Sequence, residues 1–305
     1  MKMIKLLITG SNGQLGSDCF DFYSKIDKQL EVVGIDLPLV DFSIKTECYD
    51  FLDKYKPKII INCAAFTEVD KCENDLTCWN ANKDIPENLS HWASNNDAYL
   101  VHISTDYVFD GEKSNNEFWL EDEAPNPLSE YGKSKLAGEE IIKKNMDNYS
   151  IIRTAWLYGS KGNNFLKTIL RLTIKQSKII NNGQQNFIKV VNDQFGSPTS
   201  TESLVKHINL IIDKKLTGIF HATSEGYCSW YDFANECAKE MKITPFFTPC
   251  LTREYATNAI RPKNSILENR RLKEEQINYF SNWKIELKKF ITNNYDLLKK
   301  ELEVI

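Results

Sequence analysis

Short apolar runs alternate with amphipathic stretches through the first half of the chain. The runs, at residues 4–8, 31–35, 58–62, 99–103 and 150–154, are rich in Ile, Leu and Val. They are shorter than ordinary helices and read as strands. Between them, residues 15–24, 44–55, 78–94 and 128–144 repeat their apolar positions with helical period. Strand–helix alternation of this kind predicts an α/β fold: a doubly wound parallel sheet with helices on both faces. The near-continuous apolar character of the runs fits strands buried on both sides.

After residue 154 the rhythm loosens. Residues 160–164 and 193–199 read as loops, 164–173 as a helix and 181–183 as a polar turn. A further buried strand is expected at 218–222 and a helix at 229–241, and Pro245, Pro249 and Pro262 break up the region after that helix. The Lys/Glu-rich tail beyond residue 287 reads as a solvated helix.

Composition narrows the function. The 305 residues are 42% hydrophobic, enough for a sizeable core, so disorder as the main state is excluded. Lys and Arg number 38 against 42 Asp and Glu, a net charge of −4. That is the wrong sign for a nucleic-acid binder, which needs a concentrated basic surface. No stretch reaches the roughly 18 consecutive apolar residues of a membrane helix. The opening run leads straight into Gly, Ser and Asn without a secretory cleavage pattern, so a cytoplasmic protein is expected. The eight cysteines form no CxxC pair and are expected as buried, reduced thiols. The four histidines show no ligand spacing with them, so no metal site is expected.

Three clusters carry chemistry. Gly10, Gly13 and Gly16 come directly after the first strand and open a helix. Glycines there let the backbone approach a pyrophosphate, and the helix N-terminus points N–H groups at the anion. Asp36, about 20 residues on, ends the second strand, where a carboxylate can hold an adenosine ribose. It repels a 2′-phosphate and so leans towards NADH over NADPH. The pattern is that of a Rossmann-type dinucleotide-binding unit. It is expected to span residues 1–155, rejoined by about 188–222. Residues of about 156–187 and 223–305 would then form a smaller C-terminal α/β substrate lobe.

The second cluster is Tyr131 and Lys135, four apart on one helix face. An ammonium beside a phenol is expected to lower the phenol's pKa and ready it as a proton donor. The third is Ser104, Thr105 and Asp106, directly after a strand, where open α/β sheets bind ligands. A hydroxyl there can hydrogen-bond the carbonyl oxygen that Tyr131 protonates, or simply cap a turn.

With these residues the chain resembles the extended short-chain dehydrogenase/reductases, and among them the dTDP-4-dehydrorhamnose reductases. The likeness runs through GSNGQLG (10–16), NCAAFTEVD (62–70), STDYVFDG (104–111), YGKSKLAGE (131–139), RTAWLYG (153–159), GNNF (162–165), DQFGSPT (193–199), SWYDFA (229–234) and RPKNS (261–265). It implies hydride transfer from NADPH or NADH to the C4 ketone of a nucleotide-linked 4-keto-6-deoxy sugar, most simply dTDP-4-dehydro-L-rhamnose, for surface polysaccharide precursors. By the same likeness Thr105, Tyr131 and Lys135 are catalytic. Gly10, Gly13, Gln14, Leu15, Asp36, Asp41, Phe42, Ala64, Ala65 and Lys135 would hold the cofactor. Thr105, Asp106, Tyr131, Trp156, Asn163, Asn164 and Arg261 would hold the sugar nucleotide, with Arg261 paired to its diphosphate. Trp156 reads equally well as a core residue.

Cys63 and Ala155 stand where the family more often has Ala or Val and Ser, and 181–189 diverges locally. These departures leave the reaction type intact and the sugar open. Two other readings stand beside the first: a reductase of another nucleotide sugar, such as a UDP-linked acetamido sugar, and a non-catalytic cofactor-binding subunit resembling the β subunit of methionine adenosyltransferase. Intact Thr105, Tyr131 and Lys135 favour an enzyme. The family resemblance also leaves a homodimer open.

Overall fold

The computed structural model describes residues 3–26, 30–180 and 187–303. The first half matches the hydrophobic pattern closely: β1 (Ile4–Thr9), α1 (Gln14–Ile26), β2 (Leu30–Ile35), α2 (Lys45–Tyr55) and β3 (Ile59–Asn62). Then come α3 (Val69–Cys72), α4 (Thr77–Trp79), a π turn (Asn80–Asp84), α5 (Ile85–Asn95), β4 (Tyr99–Thr105), α6 (Glu130–Asn145) and β5 (Tyr149–Thr154). Five strands and β10 (Gly218–His221) build one sheet in the order β10-β5-β4-β3-β1-β2. Every pair in it is parallel. The order reverses between β2-β1 and β1-β3, and such a switch point opens a crevice beyond the strand ends.

The strands explain their own burial. Leu6 and Ile8 face one core with Tyr23, Ile208 and Phe220, while Leu7 and Ile60 face a second with Leu52, Leu89 and Ile142. Alternation along a strand sends successive side chains to opposite faces, and helices cover both.

The second half adds β6 (Leu157–Tyr158), α7 (Phe165–Ile180), β7 (Ile188–Val191), β8 (Phe195–Gly196), β9 (Thr199–Ser200) and α8 (Thr201–Asp213) before β10. Beyond it lie β11 (Cys228–Ser229), α9 (Trp230–Glu240), β12 (Phe247–Cys250), α10 (Arg270–Glu274) and α11 (Trp283–Glu303). Within 188–222, β10 joins the large sheet and α8 packs on α1, whereas β7 pairs with β12 and β8 with β11. The polar turn expected at 181–183, and most of the divergent stretch 181–189, lie outside the described residues.

The C-terminal tail corrects its reading as a solvated helix. Leu287, Phe290, Ile291, Leu298 and Leu302 of α11 are buried with Phe233, Leu166 and Tyr158. The Lys/Glu content that dominates the sequence lies on the other face, and the apolar stripe at helical spacing was hidden among those charges.

A second correction concerns the thiols. Cys72 and Cys78 are joined by a disulfide, with Cα atoms 5.3 Å apart. The chain turns back between α3 and α4, so a six-residue spacing brings the two sulfurs together. Cys19, Cys48, Cys63, Cys228, Cys237 and Cys250 are free. Among the described residues no cluster of His, Cys, Asp and Glu could hold a metal, and no helix is long and apolar enough to cross a membrane.

Candidate active site

The crevice begins at the turn after β1. Gly10 has φ +65°, and a Cβ on it would press on the Ala64 backbone nitrogen at 2.7 Å. A Cβ on Gly16 would run into the Gly10 carbonyl. Only glycine lets this turn lie flush against the end of β3 while α1 starts immediately behind it. The Asp36 carboxylate accepts hydrogen bonds from the backbone N–H groups of Asn12 and Leu37, 2.9 Å each. It therefore shapes the glycine turn as well as facing the crevice.

Two cavities meet at this turn. The first, about 510 Å³, is lined by Gly10, Gly13, Asp36, Asp41, Phe42, Ala64 and Ala65, with no Lys or Arg in its wall. Asp41 is held in place by Ser43, whose N–H and hydroxyl donate to its carboxylate at 2.9 and 2.6 Å. The second, about 430 Å³, shares Gly13, Cys63 and Ala65 with the first. Gln14, Leu15, Thr105, Asp106, Tyr131, Lys135, Trp156 and Asn163 line it. Two linked chambers astride a glycine turn fit a dinucleotide, one nucleoside in each and the pyrophosphate at the helix N-terminus. Thr154 also lines the second chamber, and its hydroxyl is buried with no partner.

The residues expected to be catalytic sit on α6 and at the end of β4. Ser129 caps α6, accepting a hydrogen bond from the Gly132 N–H at 3.2 Å, which fixes where the helix begins. Tyr131, Lys135 and Glu139 then fall on one stripe, all three buried. Tyr131 packs edge-on against Tyr107 and against Cys72 and Cys78. Burial pushes its phenol up to about 12, opposed by a hydrogen bond with Thr105 and reinforced by the nearby Asp106. Burial pulls Lys135 down to about 8, against Glu139 and Cys63. The expectation that Lys135 lowers the phenol's pKa is thereby corrected. The Lys135 Nζ donates to the Ile103 carbonyl at 2.6 Å and lies 3.3 Å from His102 Nε2, so desolvation sets both groups. A phenol raised in this way stays protonated at neutral pH, the form a proton donor needs.

Thr105 donates to Asp106 Oδ1 at 2.9 Å and accepts from the Tyr107 N–H at 3.2 Å. Burial pushes Asp106 up to about 6, with hydroxyl hydrogen bonds from Ser265 and Thr105 opposing. Behind Thr105, Ser104 donates to Glu139 at 2.5 Å. Glu139 also takes a forked pair from Arg153 of β5, at 3.0 and 2.7 Å. This fully buried pair fastens α6 to the sheet.

The remaining expected residues divide. Trp156 both lines the second cavity and packs, half-buried, against the C-terminal core, with φ +49° and its indole stacked on Trp230 at 3.4 Å and 6°. Asn163 lines it too, but Asn164 bonds Gln14 at 2.8 Å and the Gly159 carbonyl at 3.0 Å and is absent from that wall. Arg261 lies apart, in a third cavity of about 480 Å³ with Asp70, Tyr255 and Trp230. Its guanidinium grips Asp70 through two hydrogen bonds of 3.1 and 2.6 Å. Trp230, in the walls of both the second and third cavities, had no role assigned from sequence. Its signal was present: it comes directly after Ser229, which forms a capping box with Asp232 and fixes the start of α9.

Comparison with known proteins bears on this arrangement. The family model described as the RmlD substrate binding domain matches residues 4–295. A dTDP-4-dehydrorhamnose reductase of Aggregatibacter actinomycetemcomitans is 34% identical over 300 residues, covering 94% of this chain and 98% of that protein. The crystal structure of a dTDP-4-dehydrorhamnose reductase from Clostridium acetobutylicum is 42% identical, with a TM-score of 0.89, covering 97% of this chain and 100% of that one. The Bacillus anthracis dTDP-4-dehydrorhamnose reductase, solved in complex with NADP, is 33% identical with a TM-score of 0.88, covering 95% and 99%. The chain thus belongs to the dTDP-4-dehydrorhamnose reductase family, and its crevice is that of a nicotinamide-dependent oxidoreductase.

Proposed function

We propose that the protein reduces dTDP-4-dehydro-L-rhamnose to dTDP-L-rhamnose with NADH or NADPH. The observation that carries this reading is the convergence of Thr105, Tyr131 and Lys135 on one chamber that opens onto the glycine turn. When bound, the reduced nicotinamide supplies a hydride to C4 of the sugar. Tyr131, protonated across the neutral range, donates its proton to the oxygen that becomes the alkoxide. The Thr105 hydroxyl turns from Asp106 to hydrogen-bond the same oxygen, and Lys135 would hold the nicotinamide ribose. Asp36, Asp41 and Phe42 would hold the adenosine half, and the absence of Lys or Arg among the described residues of that wall favours NADH. The six-stranded sheet and its helices hold the cofactor, and the β7–β12 side holds the sugar nucleotide. Trp156 and Asn163 border the sugar, and Arg261 offers its guanidinium to the diphosphate across Trp230.

The test is absorbance-monitored oxidation of NADH and NADPH against a panel of 4-keto nucleotide sugars, dTDP- and UDP-linked, with the product identified by NMR. Turnover with dTDP-4-dehydro-L-rhamnose well above the others is expected. Tight NADH binding with no turnover on any of them would refute the reading in favour of a regulatory subunit.

A further inference from the structure

A row of buried polar side chains crosses the sheet behind Lys135. Thr9, Asn62 and His102 are register partners on the adjacent parallel strands β1, β3 and β4. All three are at most 1% exposed, and Lys135 is 2% exposed. The Thr9 hydroxyl donates to Asn62 Oδ1 at 2.6 Å, Asn62 Nδ2 lies 2.9 Å from His102 Nδ1, and His102 Nε2 lies 3.3 Å from Lys135 Nζ. The row thus runs from the residue preceding the glycine turn to the amine of the catalytic stripe.

Its polarity is decided at the far end. The Thr9 hydroxyl has one proton, and Asn62 Oδ1 is its acceptor. That turns the Asn62 amide nitrogen towards His102, where it donates to Nδ1. A neutral imidazole with an accepting Nδ1 carries its proton on Nε2. The reversed row, with Asn62 flipped and Nδ1–H donating, would strand the buried Thr9 proton without that acceptor. We propose that His102 is a positioning residue for Lys135, its tautomer set by Asn62 and Thr9 so that Nε2–H points at the lysine nitrogen. Only an uncharged amine can accept that hydrogen bond, so the row stabilises Lys135 after it has given up a proton.

The surroundings agree in direction. Burial and the Lys135 charge hold His102 neutral. The other charged or titratable groups around Lys135 are Glu139 and Tyr131 on α6 and Cys63 after β3. Glu139 and Cys63 favour the ammonium, and Glu139 is already neutralised by Arg153. Burial opposes them, and a hydrogen bond from His102 Nε2–H acts in the same direction as burial.

Two readouts test this, one independent of activity because the kinetic one rests on the proposed reaction. Nitrogen-15 NMR of the full chain labelled at histidine, with His102 assigned by His102→Gln, should show a neutral Nε2–H tautomer at pH 6–9. The Thr9→Val variant, which keeps the volume and removes the anchor, should move the signal to Nδ1–H. An Nδ1–H or charged His102 in the parent chain would overturn the proposal, whether or not the chain turns over any sugar. In the pH profile of kcat, the alkaline limb should move up by roughly one pH unit in His102→Leu, the loss of one hydrogen bond to the amine. The far-end variant Thr9→Val, which leaves Nε2 to accept from the ammonium, should move it up as well. A downward or absent shift in His102→Leu refutes the assignment.

Discussion

Glu139 lies at the buried junction of α6 with the sheet, and its removal is the sharpest test of how the chemistry is held in place. Its carboxylate is fully buried, takes three hydrogen bonds of 2.7 to 3.2 Å from Arg153, and accepts a fourth from Ser104 at 2.5 Å. Glu139→Ala leaves the Arg153 guanidinium, itself 1% exposed, without a counter-charge. Breaking such a pair costs about 3–5 kcal/mol, because one charge stays buried and uncompensated. In a chain of this size that lowers Tm by on the order of 10 °C. The neighbouring Glu140 is the internal control. Its pair with Lys143, at 2.9 Å, is 39% and 55% exposed, and Glu140→Ala should change stability by less than about 0.5 kcal/mol. Urea unfolding monitored by tryptophan fluorescence, with thermal unfolding by circular dichroism, measures both variants. Equal stabilities for the two would refute the assignment of Glu139 as the anchor of α6.

The site and the core lead to three other expected outcomes. Tyr131→Phe keeps the ring packing against Tyr107 and should lower kcat by about 10²–10⁴ in the NADH oxidation assay, with little change in stability. Arg261→Ala should raise KM for the nucleotide sugar more than it lowers kcat, since the guanidinium lines the third cavity and Tyr131 the second; steady-state kinetics separate the two constants. His207 is buried against Phe280, and burial lowers its pKa to about 4. The folded state then binds fewer protons than the unfolded chain between pH 6.5 and 4, so this contribution is present above that window and is lost as pH falls through it. His207→Phe should remove about 2 kcal/mol of the stability difference between pH 7 and pH 5, read from urea unfolding at both values.

The sheet was legible in the sequence because its strands are apolar on both faces and its helices keep strict period. The expected strand at 99–103 extends to Thr105, and the helix at 128–144 is found at Glu130–Asn145. The glycine turn and the Tyr131–Lys135 spacing were legible for the same reason: each depends on residues close in sequence. What was hidden depends on register between strands. Nothing in the pattern places Thr9, Asn62 and His102 side by side, and nothing local tells that Lys135 turns towards Ile103 and His102. The disulfide depended on a reversal between two helical turns of four and three residues, too short to show a period. The segment 188–196 was assigned to neither of its partners, since its two-residue and four-residue strands pair with chain some 30 to 60 residues away.

Tyr131, Lys135 and Glu139 recur every fourth residue along α6, so the proposed proton donor, its lysine neighbour and the anchor share a single rigid rod. The groups proposed to border the sugar nucleotide, Trp156, Trp230, Asn163 and Arg261, come instead from separate later segments. Reactivity and selectivity are therefore written in different stretches of sequence. A lineage, or a protein engineer, can redraw the later stretches to accept a new sugar while the rod is inherited whole.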